Sequence, residues 1–187
     1  LRAIVVGVRR KKSLFAPDPD DQLFAEDAVY ILVHTEDLNR SLEIFGKSSK
    51  RQDRVVINGG GIVGLQVAQA LEARADRVRA KVIEKDRACA ERAADALERT
   101  VVLNGDGLSA DLLAEAGIER ADAVLTVTDD DKTNILAAVR AKTEGCPMAI
   151  ALVNDPTLEP MLGPLGIDAH INPRATTVSS ILRHIRL

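Results

Sequence analysis

A chain of 187 residues, 46 % hydrophobic and 28 % charged, has the make-up of a soluble globular protein with room for one full domain and part of another. Its 28 acidic and 25 basic residues leave a net charge of -3, too little of either sign to make nucleic acid or an anionic membrane surface the default partner, and 2 % aromatics supply few stacking platforms for single strands. Apolar runs such as Ala28 to Val33 and Met148 to Val153 fall far short of the roughly 20 residues that span a bilayer, and no signal peptide is read. Cys89 and Cys146 lack a second thiol or histidine at metal-ligand spacing and are expected to be buried free thiols of a reducing compartment, the cytosol.

The chain opens on a strand already under way, "RAIVVGVRR", which predicts a piece excised from a longer protein. A turn-prone "KKSLFAPDPDDQLF" follows, then a strand "AVYILVHT" and a short helix opened by Glu36 and Asp37 and carrying Leu38, Leu42 and Ile44. Residues 1 to 46 thus form half a domain at most. Arg9, Arg10, Lys11 and Lys12 are expected to face Asp18, Asp20 and Asp21 across a solvated hairpin tip, where the charges cancel. "KSSKRQD", residues 47 to 53, is polar and aperiodic and reads as a linker.

From Arg54 the pattern becomes regular. Short β-branched runs, "RVVIN", "VRAKVIE", "TVVLN", "DAVLTVT", "AIALV" and "DAHIN", alternate with amphipathic stretches, and "PRATTVSSILRHIRL" closes the chain. Parallel neighbours need a crossover each time, so six such strands and five helical connections predict an α/β, doubly wound, Rossmann-like parallel sheet over residues 54 to 187.

The first of these strands runs into Gly59, Gly61 and Gly64 at G-x-G-x-x-G spacing, with Gly60 an extra glycine and Ile62 and Val63 in the variable positions. Gly59 allows the tight turn, Gly61 lets backbone approach a pyrophosphate, and Gly64 brings helix close to strand. Val67, Ala68 and Leu71 place an apolar helix face on the sheet, aiming the helix N-terminus at the loop, where anions are favoured. Glu84 ends the second strand 20 residues after Gly64, where a carboxylate accepts both ribose hydroxyls. It also repels a 2′-phosphate, favouring NAD over NADP, although Lys85 and Arg87 soften that preference. In "LNGDG", Asp106 either meets an adenine amino group or serves the turn alone. Thr126 and Thr128 are expected on the nicotinamide or distal-phosphate side of the crevice. Asp129, Asp130 and Asp131 open the next helix as capping residues, with a divalent cation beside phosphates as the alternative.

With the glycine motif, Glu84, "GDG", "TVTDDDKTNI" and "INPRATTVSSILRHIRL" together, the chain resembles the RCK or KTN family of regulatory domains. Within that family it looks like the regulatory subunits of Trk-type bacterial potassium uptake systems. The resemblance covers nearly the whole chain. Residues 54 to 187 look like an RCK N-terminal lobe, a second repeat more than a first, and residues 1 to 46 like the latter part of a preceding C-terminal lobe. It implies a cytoplasmic protein peripheral at the inner face of the membrane, without catalytic or metal-binding residues. In the implied assembly nucleotide binding changes RCK packing and so gates a membrane potassium-translocating partner. The helix over residues 175 to 187, with Val178, Ile181, Leu182 and Ile185 in one stripe, would touch a neighbouring lobe in that family; packing on its own sheet is the other reading. Relatives that prefer ATP or ADP place an arginine among the variable glycine-motif positions and an acid after the last strand's proline. Here Ile62, Val63 and Arg174 stand there, which shifts the preference to NAD or NADH without excluding ATP or ADP.

The competing class is the cofactor lobe of an NAD-dependent oxidoreductase, with a methyltransferase more distant. Tyr30, the only tyrosine, precedes the cofactor lobe, so a Tyr-x-x-x-Lys pair is absent. His34, His170, expected on a buried strand, and His184 adjoin no acid or nucleophile partner and are read as structural.

Overall fold

The computed structural model describes residues 2–11, 13–46, 53–74 and 78–184. The chain divides into two compact units, residues 1–51 and 52–187. The expected linker lies, except for Asp53, outside the described residues.

In the first unit, β1 (Ala3–Arg10) pairs antiparallel with both β2 (Ser13–Phe15) and β3 (Ala28–Val33), and a 3-10 turn over Thr35–Asp37 leads into α1 (Leu38–Ile44). The short β2 lies inside the stretch whose composition predicts only a turn. Val8 faces Phe15 on one side and Val29 on the other, and the β1–β3 register shifts between Val5 and Gly7. The charge pairing also differs from the expected hairpin tip. Arg10 stacks on the rings of Phe24 (4.4 Å) and Phe15 (5.5 Å), donates from Nε and Nη2 to the carboxylate of Asp27 (2.9 and 2.7 Å), and donates to the carbonyl of Gln22 (2.9 Å). Asp21 instead accepts from the backbone N–H of Asp18 (2.7 Å), and Lys12 lies outside the described residues. A planar guanidinium suits this forked, stacked role, which an ammonium does not reproduce. Arg10→Lys should therefore free the segment 16–26; limited proteolysis there is expected to run several-fold faster than in the wild type, and an unchanged rate would contradict the clamp.

The second unit is one six-stranded parallel sheet. In chain order it runs β4 (Arg54–Asn58), α2 (Ile62–Arg74), β5 (Arg79–Glu84), α3 (Arg87–Ala96), β6 (Val101–Asn104), α4 (Ala110–Ala116), β7 (Ala123–Thr126), α5 (Asp131–Thr143), β8 (Ala149–Leu152), α6 (Glu159–Leu162), β9 (Ala169–Ile171) and α7 (Pro173–His184). The strand order is β6-β5-β4-β7-β8-β9, so the chain reverses direction across the sheet between β4 and β7. That reversal opens a crevice at the strands' carboxyl ends. Alternation along β4 explains the double cover: Val55 and Ile57 pack with Ala68, Val82, Ala93 and Leu97 on one face, while Val56 joins Ile83, Leu113, Ile118 and Val124 on the other. On the second face Ala137, Ala138 and Ala141 are buried, and these small side chains let α5 lie close on the strands. An apolar groove of about 320 Å³ remains between the starts of α2 and α7, lined by Val63, Val67, Leu125, Ile150 and Ile171 among others.

Two expectations change here, and one open alternative is narrowed. β9 is the edge strand and its residues are exposed, so His170 is not on a buried strand; its Nε2 lies 3.6 Å from Glu159. Cys146 is buried, but Cys89 is only half-buried, with the Arg92 guanidinium 2.8 Å from its sulfur. On α7, Val178, Ile181 and Leu182 are exposed rather than packed on the sheet; Ile185 lies outside the described residues. Among the described residues no helix is long and apolar enough to cross a membrane.

Candidate functional site

The crevice is built from the turns after β4, β5, β6 and β7. β4 ends at Asn58 and the chain turns at Gly59, whose φ of +113° is a region L side chains avoid. Its N–H donates to the carbonyl of Ile83 (2.8 Å), and a Cβ would meet the backbone of Val127 and Thr128 at 2.9 Å. A Cβ on Gly64 would overlap the carbonyl oxygen of Gly59, which explains the absence of a side chain at the helix's first turn. Leu65 N–H donates to the carbonyl of Gly61 (2.9 Å), so α2 begins there and its leading N–H groups lack intrahelical acceptors.

Gly61 differs from its neighbours. A Cβ there would meet no described atom within 4 Å, so nothing in the packing of the unit requires glycine. The missing side chain leaves open space at the helix N-terminus, the form a loop needs to admit a pyrophosphate against its backbone. Ile62 (79 % exposed) and Val63 (41 %) flank that opening.

Glu84 stands at the end of β5 with both carboxylate oxygens oriented. Oε2 accepts the N–H of Gly60 (2.6 Å) and Oε1 that of Asp86 (2.8 Å). A Cβ on Gly60 would lie 2.9 Å from that of Glu84, so the extra glycine makes room for the carboxylate to reach the glycine loop. A carboxylate has about four acceptor sites; two N–H donors fix its plane and leave sites for a pair of hydroxyls.

The other expected site residues are distributed unevenly. Lys85 donates to Asp106 (3.0 Å), and Asp106 also accepts the N–H of Leu108 (3.0 Å). These two bonds, the turn N–H foremost, hold its carboxyl below the usual range. Thr126 is fully buried, with its hydroxyl 3.5 Å from the carbonyl of Ile150, so its side chain is wall rather than ligand contact and the expectation for it is corrected. Thr128 sits beyond the strand end beside Gly59. Asp130 caps α5 by accepting the Thr133 N–H (2.6 Å), and Asp131 accepts the N–H groups of Asn154 and Asp155 (2.9 and 2.8 Å), so the aspartates serve helix and loop. Among the described residues no group of three or more His, Cys, Asp or Glu forms a metal site.

Two asparagines carry more of the site than their sequence context suggests. Asn58 Nδ2 is buried and has no hydrogen-bond partner among the described residues, and a Cβ on Gly107 would lie 2.2 Å from Asn58 Oδ1, so the "GDG" turn rests directly on this amide. Asn134, fully buried, accepts from the N–H and hydroxyl of Thr128 (2.8 and 2.7 Å). A buried side chain before or inside a helix gives no local signal; only the final asparagine of "DDDKTN" hinted at it.

The sequence profile of the TrkA-N domain matches residues 55–173, from β4 into the first residue of α7. The chain belongs to the TrkA-N family. The Trk system potassium uptake protein TrkA of Azorhizobium caulinodans is 40 % identical over 186 residues, covering 100 % of this chain and 41 % of that protein. The chain thus spans about two fifths of that relative's length. Among solved structures, the TrkA-N domain of the inner membrane protein ybaL from Escherichia coli is similar with a TM-score of 0.64 at 14 % identity, covering 73 % of this chain and 99 % of that one. The GsuK channel bound to NAD is similar with a TM-score of 0.60 at 22 % identity, over 98 % of this chain and 32 % of that one. These likenesses show that the TrkA-N unit has the RCK-type Rossmann-like fold. Its curated relatives are potassium uptake proteins rather than enzymes, and the oxidoreductase alternative is set aside.

Proposed function

We propose that the TrkA-N unit binds a nicotinamide dinucleotide, NAD or NADH in preference to ATP or ADP, and that binding regulates a membrane potassium-translocating partner. The chain would act as part of a longer, cytoplasmic protein at the inner face of the membrane, assembled with other RCK lobes. Residues 1 to 46 supply the latter part of a preceding C-terminal lobe. The observation that carries the reading is the pairing of an open Gly61 position at the N-terminus of α2 with an oriented Glu84 carboxylate bonded to Gly60.

In this reading Gly59, Gly60, Gly61 and Gly64 hold the pyrophosphate, and Ile62 and Val63 line its outer side. Glu84 takes the ribose hydroxyls, the Lys85–Asp106 pair bounds the adenine side, and Thr128 faces the distal half. The ligand supplies signal rather than chemistry: it shifts the equilibrium between two lobe arrangements by its difference in affinity for them, and a useful switch needs about 1–3 kcal/mol.

A thermal shift of the 187-residue chain against NADH, NAD, NADP, ATP, ADP and S-adenosylmethionine tests this. At about 100 times Kd a ligand adds about 2.7 kcal/mol of stability, a shift of several degrees. NAD or NADH is expected to stabilise most and NADP least among the dinucleotides. A larger response to ATP or ADP would replace the signal, and no response to any of the six would refute nucleotide binding.

A further inference from the structure

Asp131 opens α5 and Asn134 stands in its first turn, yet the side chains of both make their bonds outside the helix. They lie three residues apart, on one side of its first turn. Asn134 uses every polar site it has: Oδ1 accepts the N–H and hydroxyl of Thr128, while Nδ2 donates to the carbonyls of Thr128 (3.0 Å) and Leu152 (2.9 Å). It therefore ties the turn after β7 to the end of β8. Asp131 continues the connection. Its carboxylate accepts from Asn154 through both N–H and Nδ2 (2.9 and 3.1 Å) and from Asp155 N–H (2.8 Å). Burial opposes the charge, but these N–H groups outweigh it and hold the carboxyl below its usual range.

Each end of this chain of bonds meets a different element. At one end Thr128 lies against Gly59, so close that a Cβ on the glycine would be 2.9 Å from the Thr128 nitrogen. At the other, Asn172 Nδ2 donates to the carbonyl of Asn154 (3.4 Å), and Asn172 itself caps α7, its Oδ1 accepting the N–H of Ala175 (3.1 Å) and its carbonyl the hydroxyl of Thr176 (3.0 Å). From Asn172 α7 runs out with Val178, Ile181 and Leu182 exposed.

We infer that Asp131 and Asn134 are positioning residues that link the glycine loop to the N-terminus of α7, so that a dinucleotide seated on Gly59 to Gly64 alters the order of α7. The inference rests on the nucleotide reading above. Asn134 is buried with no spare donor or acceptor, so Thr128 cannot shift without breaking a bond or taking the end of β8 with it. Asp131 passes the same constraint to residues 154 and 155, and Asn172 passes it to the helix cap. The network runs from Thr128 through α5 and residues 152–155 to Asn172, whose Nδ2 also reaches Glu159 (3.5 Å), and a hydrogen-bonded network of this kind is one physical form that carries coupling between sites.

Hydrogen exchange of the 187-residue chain with and without millimolar NADH, followed by mass spectrometry, tests it. In the wild type NADH is expected to slow exchange several-fold at residues 59–66 and also at 152–156 and 173–178. In Asp131→Ala, protection at 59–66 should persist with a Kd within about threefold of wild type, while protection at 173–178 disappears. A purely structural role for Asp131 would raise exchange with and without ligand alike and leave the ligand-dependent difference intact, which would overturn the inference. So would wild-type protection confined to 59–66, a result that needs no variant. Absence of NADH protection at 59–66 would instead refute the dinucleotide reading, and the link with it.

Discussion

Gly61→Asp is expected to weaken dinucleotide binding at least 100-fold while leaving the melting temperature within a few degrees of wild type, whereas Gly64→Ala should lower both. The contrast follows from what each side chain would meet. The Gly61 Cβ position faces no described atom within 4 Å, so an aspartate there is a surface substitution for the free protein, and such changes cost little. With a ligand present, the same carboxylate points into the space that the proposed function gives to the pyrophosphate. Like charges brought together at a binding surface cost several kcal/mol, and the side chain also fills the approach. At Gly64 the added methyl would overlap the Gly59 carbonyl oxygen, a backbone atom that no rotamer change can move aside. Overpacking of that kind costs about 1–3 kcal/mol or more and shifts the first turn of α2 off the sheet, a loss on the order of 10 °C for a unit of this size. Differential scanning calorimetry and NADH titration of the two variants separate the roles. If Gly61→Asp binds NADH with wild-type affinity, the ligand does not use this loop; if Gly64→Ala melts as the wild type does, the close approach is not a constraint on the fold.

The parallel sheet was legible because its cause is local: each short β-branched run is followed by an amphipathic stretch, and parallel strands require that alternation. Glu84 was legible for a related reason, since a strand end a fixed distance from a glycine turn is a matter of spacing along the chain. What the sequence did not reveal depends on partners far along it. Asn134 owes its burial to Leu152, eighteen residues on, and Asp131 turns away from its own helix toward Asn154 and Asp155. Thr126 lies on the covered face of β7 with Val124 and is fully buried, while the side of the strand that borders the apolar groove is taken by Leu125. His170 was misjudged in the opposite sense: "DAHIN" has the composition of a buried strand, but the sheet order makes β9 an edge. Arg10 was read by the sign of its nearest charges, while its geometry is set by two phenylalanine rings and by Asp27.

Glu72 gives the second large effect, and it concerns acid stability rather than binding. It lies in α2 and reaches the turn that precedes β6, where its carboxylate accepts the N–H groups of Glu98 (3.2 Å), Arg99 (2.8 Å) and Thr100 (2.7 Å) and the hydroxyl of Thr100 (2.8 Å), while the Arg99 guanidinium donates to the Glu72 carbonyl. Burial opposes the charged form, but the donors outweigh it and hold the carboxyl at about 2, against an ordinary 4.5. A depressed folded value means that the contribution is fully present above about 4.5 and is lost as the pH falls toward about 2. Glu72→Ala strands the N–H of Thr100, a buried residue, and is expected to cost about 1–3 kcal/mol at pH 7. Glu72→Gln keeps the shape and one acceptor but turns an amide NH2 toward groups that are themselves donors, so it should also destabilise at pH 7, by a smaller amount. Its distinguishing feature is the pH dependence. As the pH falls below about 4.5 the unfolded chain's Glu72 takes up a proton while the folded carboxylate, held at about 2, stays charged, so the wild-type advantage over Glu72→Gln should shrink steadily, even though other carboxylates weaken both proteins alike. Urea unfolding of the pair at pH 7, 5, 4 and 3 measures that difference directly. A gap that stayed constant across the series would mean that the charge on Glu72 contributes nothing to holding α2 against the β6 turn, and that packing alone joins them.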